Sequence, residues 1–425
     1  MRVDVGNALD SVARPGVPRD ALDGLDERVA SAHAHIQRER RAGTAGYRAL
    51  DLPETTDVAA IEDAVAPFRD AEAVLTVGIG GSALGARALV TALEGTDRVP
   101  VYTLETVDPD HVARLLADLP LAETAVNVVS RSGETAETLA NFRAVRGAMA
   151  DAGVDWTERT FVTTGETGRL RDLAEQHGLP VLDVPPGVPG RFSVLSAVGL
   201  AAASLRGHDV DAVLDGAAGV ELQGSLFDCP PYAYGAVTYE LARRGATSNV
   251  MMPYAESLAP FTEWFAQLWA ESLGKAETGQ TPLKARGVVD QHSQLQLYRS
   301  GPRDKVVTLL RPVERAAEAP GGVALGDHVD AAFRATEASL AVAERPTIRV
   351  EIERVSARHV GGLLYGMEAA CILAGELFEV DPFTQPAVEW GKRAAQSLVE
   401  GDGLPEETPR GDSLAVETDS PTDSG

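Results

Sequence analysis

The stretch that decides the fold is AVLTVGIGGSALGARALVTAL, residues 73–93. It opens with a short apolar run that ends in glycines, and SALGARALVTAL (82–93) then places apolar residues at helical spacing. A buried strand that turns through glycines into a helix is the beginning of a βα unit. This stretch therefore predicts an α/β fold built on a parallel sheet.

The same alternation continues along the chain. Further β-rich runs are VPVYTLE (99–105), TAVNVVS (124–130), TFVTTG (160–165), LPVLDVP (179–185), SNVMMPY (248–254), KVVTLLRPV (305–313) and TIRVEIERV (347–355). The segments predicted as helices are 108–118, 135–152, 168–177, 232–245, 257–275, 358–380 and 387–399. Strands that alternate with helices indicate right-handed βαβ crossovers, so we predict two α/β domains in tandem, each with a parallel sheet flanked by helices.

The predicted domain limits follow these runs. They are an N-terminal helical wrap (1–50), a first α/β domain (51–195), a helical connection (196–230), a second α/β domain (231–400) and a C-terminal tail (401–425). The tail holds seven acids, one arginine and no aromatic residue, a composition that predicts disorder.

Composition excludes several classes of protein. The 425 residues carry a formal charge of -25 and show no basic patch, which argues against partners such as nucleic acid or anionic membranes. No apolar run approaches the roughly 20 residues of a membrane span. The N-terminus shows no apolar signal region, so we expect a cytoplasmic protein. Two cysteines, Cys229 and Cys371, argue against a disulfide framework or a structural zinc site.

Lysine is rare in this chain. Only Lys275, Lys284, Lys305 and Lys392 occur, and arginine supplies the other 34 of the 38 basic residues. An acidic, lysine-poor surface is expected of a protein that works in concentrated salt, where charge repulsion is screened. The alternative is a G+C-rich genome with an acidic proteome. A lysine that is present in such a chain is therefore a stronger candidate for a specific function than a lysine in an average protein.

The glycine-rich turn VGIGGSALG (77–85) has three interpretations. Glycines let the backbone approach a ligand, and the following helix offers free N–H groups to an anion. A dinucleotide site is the second interpretation, but the glycine spacing differs from GxGxxG, and only Glu105 occupies a position suited to a ribose. The third is a tight strand–helix turn without a ligand.

A second turn, SRSGETAET (130–138), carries closely spaced hydroxyls. Ser130, Ser132 and Thr135 beside a helix N-terminus form a phosphate cradle that needs neither lysine nor metal. The alternative is an N-cap, made by Ser132 with Thr135 or by Thr135 with Thr138. Two such turns at the carboxyl ends of strands in one sheet favour a ligand crevice at that edge.

Two further stretches carry charged side chains. Arg191 in PGRFSVLSAVG (189–199) precedes a helix. An arginine at this position is suited to stabilise a developing oxyanion. The alternative is an ordinary surface arginine. In WFAQLWAESLGK (264–275), Glu271 lies among tryptophans and leucine on one helix, so we expect it to be partly shielded from water and suited to act as a general base. The alternative is a surface ion pair between Glu271 and Lys275.

The last two stretches are DQHSQLQLY (290–298) and DPFTQPAVEWGK (381–392). The first contains His292, a residue type that transfers protons near neutral pH, and its alternative is an ordinary loop histidine. The second contains Lys392, just inside a helix that Pro386 opens.

Together these stretches resemble the glucose-6-phosphate isomerase (phosphoglucose isomerase) family of the bacterial type. The resemblance covers roughly residues 70–395 in the family's order. It rests on GIGGSALG, an S-x-S-G-x-T loop, GRFSVLS, QLWAESLGK, DQHSQLQLY and a Q-x-x-V-E-x-x-K ending. The resemblance implies two sugar-isomerase domains, each a flavodoxin-like parallel sheet. It also implies interconversion of glucose 6-phosphate and fructose 6-phosphate in glycolysis and gluconeogenesis, without a metal or other cofactor.

The resemblance also implies a role for each motif residue. Glu271 would shuttle a proton between C1 and C2 of the sugar through a cis-enediol, and Arg191 would stabilise the enediolate. His292 would open the sugar ring with help from Lys392. The residues implied to hold the phosphate are Ser82, Ser130, Ser132 and Thr135, and those implied to line the substrate site are Gly81, Gln267 and Gln385. In the family the ring-opening histidine comes from the partner subunit, which implies a homodimer.

Two departures from the family pattern matter. The phosphate loop has Arg131 where a lysine is common and Glu134 where a small hydroxyl residue is usual, so we expect Glu134 to face solvent or to pair with Arg131. Pro386 and Ala387 replace the usual residues before Val388. Two alternatives to the implied activity stay open: an isomerase that also accepts mannose 6-phosphate, and a non-catalytic sugar-phosphate sensor.

Overall fold

The structure is a computed structural model, and it describes residues 1–93, 99–315, 320–404 and 415–416. Residues 1–384 form one compact unit, and residues 385–425 form a second. Most of the predicted disordered tail, 405–414 and 417–425, lies outside the described residues. The predicted domain limits stay predictions.

Two sheets of five strands lie in the first unit. Their strands, in chain order, are β1 (Arg2–Asp4), β2 (Ala73–Val77), β3 (Val101–Leu104), β4 (Thr124–Ser130), β5 (Thr160–Thr164), β6 (Val181–Asp183), β7 (Ser248–Pro253), β8 (Thr281–Lys284), β9 (Lys305–Pro312) and β10 (Thr347–Ile352).

Helices connect the strands and cover the sheets. They are α1 (Ala21–Ala42), α2 (Leu52–Thr55), α3 (Val58–Val65), α4 (Leu84–Ala92), α5 (Pro109–Asp118), α6 (Ala136–Asp151), α7 (Arg169–His177), α8 (Ala197–Leu205), α9 (Val210–Ala218), α10 (Pro230–Arg243), α11 (Ala259–Leu273), α12 (Gly287–Gln291), α13 (Leu295–Ser300), α14 (Leu325–Val342), α15 (Ala357–Phe378) and α16 (Pro386–Glu400). The prediction of an α/β fold with parallel sheets flanked by helices is confirmed.

The first sheet has the strand order β3-β2-β4-β5-β6, and every neighbouring pair is parallel. This is the flavodoxin-like order, in which the chain first adds a strand on one side of β2 and then continues on the other side. Val74 packs into one hydrophobic cluster and Leu75 into another. Both faces of the sheet are therefore covered, as parallel strands require.

The second sheet has the order β1-β10-β9-β7-β8. The four strands β7 to β10 are parallel and follow the same winding as the first sheet, and β1 pairs antiparallel with β10 at the edge. The expectation that residues 1–50 are purely helical is wrong for Arg2–Asp4. A run of three residues is too short to show the alternation of a strand in sequence. These residues form a strand because they pair with β10.

The long helix α15 is largely buried and packs against α9, α10, α11 and α1. Among the described helices it alone is long and apolar enough to cross a membrane, but 94% of its apolar window is buried inside the protein. It is therefore a core helix of this fold. Its neighbour α11 carries Glu271, so α15 supplies the rigid support behind that residue.

The two motif-bearing turns follow β2 and β4, at the carboxyl ends of these strands. Val77 and Val128 are aligned, so the turns that follow these two parallel strands lie side by side. The strand order reverses at this point, which is where α/β sheets of this kind form a ligand crevice. Both motif-bearing turns of the sequence therefore lie at the switch point of the sheet.

Candidate active site

The first turn at this edge brings the backbone of β2 against a distant loop. Residues Gly80–Ser82 form one turn of 3-10 helix before α4. A Cβ atom added to Gly81 would lie 2.3 Å from the carbonyl carbon of Gly190 and 2.6 Å from the nitrogen of Arg191. Only glycine permits this approach, and the contact places half-buried Ser82 in the turn that abuts the Arg191 loop.

The second turn presents hydroxyls at the start of α6. Ser130 ends β4 and is buried, and its Oγ lies 2.9 Å from Oγ1 of Thr135. Thr135 occupies the N-cap position of α6, yet its side chain makes no capping hydrogen bond. Ser132 is exposed, and its Oγ accepts from the N–H of Glu134 at 3.2 Å. The alternative of a Thr135 cap is therefore wrong, and the first-turn N–H groups of α6 have no intrahelical acceptor.

Glu134 in this turn pairs with Arg169 and not with Arg131. Its Oε1 accepts from the backbone N–H of Arg169 at 2.7 Å, and its Oε2 accepts from Arg169 Nε at 2.6 Å. The backbone hydrogen bond and then the guanidinium lower the pKa of Glu134. Glu134 is exposed, so the expectation that it faces solvent is confirmed. The alternative pairing with Arg131 is wrong because the turn folds onto the start of α7, where Leu170 N–H donates to Gly133 O at 3.0 Å.

Arg191 is a buried residue, which excludes the alternative of a surface arginine. It is 3% exposed. Its Nε donates to Ser272 Oγ at 2.8 Å, and its Nη1 donates to Glu271 Oε2 at 3.2 Å. Its Nη2 donates to the backbone carbonyls of Pro382 at 2.5 Å and Thr384 at 3.2 Å. These contacts clamp the guanidinium from two sides. Burial lowers the pKa of Arg191, and the charge of Glu271 opposes that shift.

Glu271 on α11 has both carboxylate oxygens engaged. Oε2 meets Arg191, and Oε1 accepts from Gln267 Nε2 at 2.9 Å. Gln267 lies one helical turn earlier, and its own Oε1 is buried without a hydrogen-bond partner among the described residues. A Cβ atom added to Gly80 would lie 2.8 Å from Gln267 Nε2, so this amide also meets the first turn. The structure thus links that turn, Gln267, Glu271 and Arg191 in one cluster.

Lys275 lies beside this cluster. Its Nζ donates to the backbone carbonyls of Glu271 at 2.9 Å and Ser272 at 2.7 Å, near the end of α11. No hydrogen bond or ion pair among the described residues joins it to the carboxylate of Glu271, so the alternative of a surface ion pair is wrong. Burial and then the charge of Arg191 lower the pKa of Lys275 to about 8.

His292 also belongs to the first unit. It follows α12 directly and is exposed, and its side chain takes part in no hydrogen bond or ion pair within the described part of the chain. The structure does not join it to Glu271 or Arg191 by a bond of either kind. The role of His292 stays a prediction.

Gln385 and Lys392 belong to the second unit. Gln385 stands at the N-cap position of α16. Its Nε2 donates to Glu389 Oε1 at 3.2 Å, and Lys392 Nζ lies 3.1 Å from the same oxygen. The roles of both residues stay predictions.

Two further observations concern side chains outside this cluster. Glu105, the acid that a dinucleotide site would place on a ribose, accepts from Arg87 Nη1 at 2.7 Å. No cluster of three or more metal-ligating side chains occurs among the described residues. What the cluster does offer is a carboxylate base, a fixed guanidinium beside it, and a neighbouring pair of turns rich in hydroxyls and free N–H groups.

Comparison with known proteins supplies the family. Residues 56–296 match the family model described as phosphoglucose isomerase. A probable glucose-6-phosphate isomerase of Haloquadratum walsbyi is 59% identical over 95% of this chain and 96% of its own length, and one of Haloarcula marismortui is 58% identical over 96% of each. Both organisms are halophilic archaea, which agrees with the salt adaptation expected from the composition.

A solved structure agrees with this result. A protein of Thermus thermophilus, described as hypothetical, has a TM-score of 0.82 and 34% identity, covering 94% of this chain and 99% of that one. The shared architecture spans both sheets. The chain is a member of the phosphoglucose isomerase family.

Proposed function

We propose that this chain catalyses the reversible isomerisation of glucose 6-phosphate to fructose 6-phosphate through a cis-enediol intermediate. One observation carries the proposal: the Glu271 carboxylate is held between Gln267 Nε2 and the buried Arg191 guanidinium, beside the switch point of the first sheet. The names of the halophilic relatives support the same reaction, and it would act in glycolysis and gluconeogenesis in the cytoplasm.

The proton transfer is assigned to Glu271. In the open-chain aldose, one carboxylate oxygen takes the proton from C2 while the C1 carbonyl becomes the enediol oxygen, so the double bond moves between C1 and C2. The carboxylic acid then returns the proton to C1. The oxygen on C1 takes up a proton in place of the one that the hydroxyl on C2 gives up, so that C2 becomes the carbonyl of the ketose. A single carboxylate on one face of the sugar reaches both carbons, which suits a side chain with two equivalent oxygens.

The charge that develops during this transfer is assigned to Arg191. The enediolate carries negative charge on oxygen, and a fixed guanidinium stabilises it without reorganising at the moment of reaction. The clamp made by Ser272 and the carbonyls of Pro382 and Thr384 supports such a fixed position.

The phosphate is assigned to the two turns at the sheet edge. Ser82, Ser130, Ser132 and Thr135 would hold it through hydroxyls and first-turn N–H groups, and Gly81, Gln267 and Gln385 would line the rest of the substrate. Binding the phosphate away from the reacting carbons positions those carbons against Glu271. Neutral donors at this place also suit a strongly acidic protein, because the anion is bound without a cluster of basic side chains.

We further propose a homodimer in which His292 of one subunit opens the sugar ring in the site of the other, with Lys392 assisting. His292 is exposed and its side chain has no hydrogen-bond partner among the described residues. The two short helices beside it expose the apolar residues Val288, Val289 and Leu297. Apolar residues exposed on neighbouring elements are typical of a surface that a partner covers, and a second copy is the partner that this proposal requires.

A complementation experiment tests the shared site. Glu271→Gln and His292→Ala chains are prepared separately, each inactive, and then mixed under conditions that exchange subunits. If His292 acts across the interface, each hybrid dimer contains one complete site, and the mixture regains about a quarter of wild-type activity. If His292 acts within its own chain, no hybrid site is complete and the mixture stays inactive. A monomer in light scattering would also refute the dimer.

The activity itself is tested by a coupled assay on the purified protein with fructose 6-phosphate, glucose 6-phosphate and mannose 6-phosphate in separate reactions. The proposal expects conversion of the first two. Conversion of mannose 6-phosphate at a similar rate would show an isomerase of broader specificity. Binding of all three sugars without conversion would favour a sensor and refute the proposed function.

A further inference from the structure

Arg191 is held on its Nε side by a hydroxyl that lies deep in the protein. Ser272 follows Glu271 directly on α11 and is fully buried, and its Oγ accepts from Arg191 Nε at 2.8 Å. Adjacent residues on a helix point about 100° apart, so Glu271 and Ser272 meet two different edges of the same guanidinium. Ser272 therefore adds a contact on the Nε side to those that Glu271 and the carbonyls of Pro382 and Thr384 make with the same guanidinium.

The Ser272 hydroxyl has a second neighbour on α15. This neighbour is Cys371, which is also fully buried. Burial raises the pKa of Cys371 to about 12, so the thiol keeps its proton. That proton is donated to the backbone carbonyl of Leu268, with Sγ 3.5 Å from the oxygen.

These contacts reach from the candidate active site into the contact between α11 and α15. The Arg191 guanidinium donates to Ser272 Oγ, and the Cys371 thiol beside that hydroxyl donates to Leu268 O. Buried hydrogen bonds of this kind hold their side chains in one arrangement.

We propose that Ser272 is a positioning residue that, together with the carbonyls of Pro382 and Thr384, holds Arg191 in the orientation that meets the developing enediolate. This rests on the proposed isomerisation. Without the Ser272 acceptor, the guanidinium loses its fixed contact on the Nε side, so its positive charge is held less firmly against the substrate oxygen. Ser272 touches neither substrate nor reacting atoms in this scheme, so it acts only through Arg191.

The kinetic signature follows from that role. Ser272→Ala lowers kcat by about ten- to hundredfold, the range expected when a hydrogen bond to a charged group is lost. KM changes by less than about threefold, because phosphate binding at the two turns is untouched. Ser272→Cys, which keeps a weak acceptor, recovers part of kcat. Cys371→Ala causes a smaller loss than Ser272→Ala, since it leaves the hydrogen bond between Arg191 and Ser272 in place.

The matched control is Thr262→Val. Thr262 lies on the same helix, is 3% exposed and also loses a hydroxyl, but its Oγ1 donates to Ala259 O at 2.7 Å. This variant shares the structural cost of removing a buried hydroxyl from α11 and retains wild-type kcat. If Ser272→Ala has a kcat within about twofold of wild type, or loses no more than Thr262→Val, the proposal is overturned.

A second measurement does not depend on activity. The Nε–H of Arg191, assigned by its absence in Arg191→Lys, exchanges slowly with water in wild-type protein and rapidly in Ser272→Ala, because its acceptor is removed. Equal exchange in the two proteins contradicts the positioning role even if Ser272→Ala is too unstable for kinetics. A wild-type protein that shows slow exchange but no isomerisation refutes the proposed function and leaves the positioning of Arg191 supported.

Discussion

Replacement of Arg191 by lysine keeps the positive charge and removes the geometry. The arginine uses three nitrogens to reach Ser272 Oγ, Glu271 Oε2 and the carbonyls of Pro382 and Thr384. Lysine carries its donors on one nitrogen, which cannot reach both sides of the clamp. At least one buried acceptor is left unpaired, and the free energy of unfolding should fall by about 1–3 kcal/mol.

The catalytic loss in Arg191→Lys should be larger than the loss of stability suggests. Removing one well-placed donor to a developing oxyanion typically costs about 10²–10³ in kcat. We expect a loss of that size, measured by the coupled assay at saturating substrate, together with a shift in a chemical denaturation curve. The control is Arg243→Lys, since Arg243 is an exposed arginine whose side chain is 57% accessible. A kcat within about tenfold of wild type in Arg191→Lys would refute the view that catalysis depends on the separate N–H donors of the guanidinium.

Three further predictions follow from particular contacts. Gly81→Ala places a Cβ atom 2.3 Å from the Gly190 carbonyl carbon, so the two loops must separate and kcat should drop sharply. The control is Gly147→Ala, which has open space around it and should be neutral or add up to about 1 kcal/mol of stability. The pKa of Lys275 is about 8 in the folded protein and about 10.5 in the unfolded chain, so the unfolded chain binds more protons between these pH values. The free energy of unfolding should therefore rise with pH across that window. Urea titrations should show this slope in wild type and a smaller slope in Lys275→Met. Molar KCl should preserve activity and raise the melting temperature, given the charge of -25; a sharp loss of activity in that salt would count against adaptation to concentrated salt.

The fold was readable from the sequence wherever a buried strand is long enough to show as an apolar run. The runs at 124–130 and 248–254 correspond to β4 and β7. Two strands escaped prediction for local reasons. β1 has three residues, and β8 (TPLK) contains a proline and lies at the edge of its sheet, where proline is tolerated.

The candidate site was readable only where its residues lie in motifs. Arg191 and Glu271 were singled out by their motifs, and the structure brings them into contact. Ser272 was missed because a serine inside an apolar helix has no pattern that reveals a distant guanidinium. The acceptors Pro382 O and Thr384 O are backbone atoms nearly two hundred residues from Arg191, and no side-chain identity encodes them. Long-range backbone contacts of this kind require the three-dimensional structure.

The pairing of Glu134 illustrates the same limit. The sequence placed Arg131 nearest to it along the chain, but the turn folds onto α7 and brings Arg169 within hydrogen-bonding distance. Proximity in sequence is a weak guide within a tight turn, because neighbouring side chains there point in different directions.

The central claim is that the Glu271 carboxylate is the base that moves the proton between C1 and C2. The most direct test compares turnover of glucose 6-phosphate by wild type and by Glu271→Gln, with sugar-phosphate binding measured in parallel. The glutamine keeps the shape of the side chain but accepts no proton, so the account predicts a loss of at least about 10²–10⁴ in kcat with binding largely preserved. Near wild-type turnover by Glu271→Gln would contradict the account.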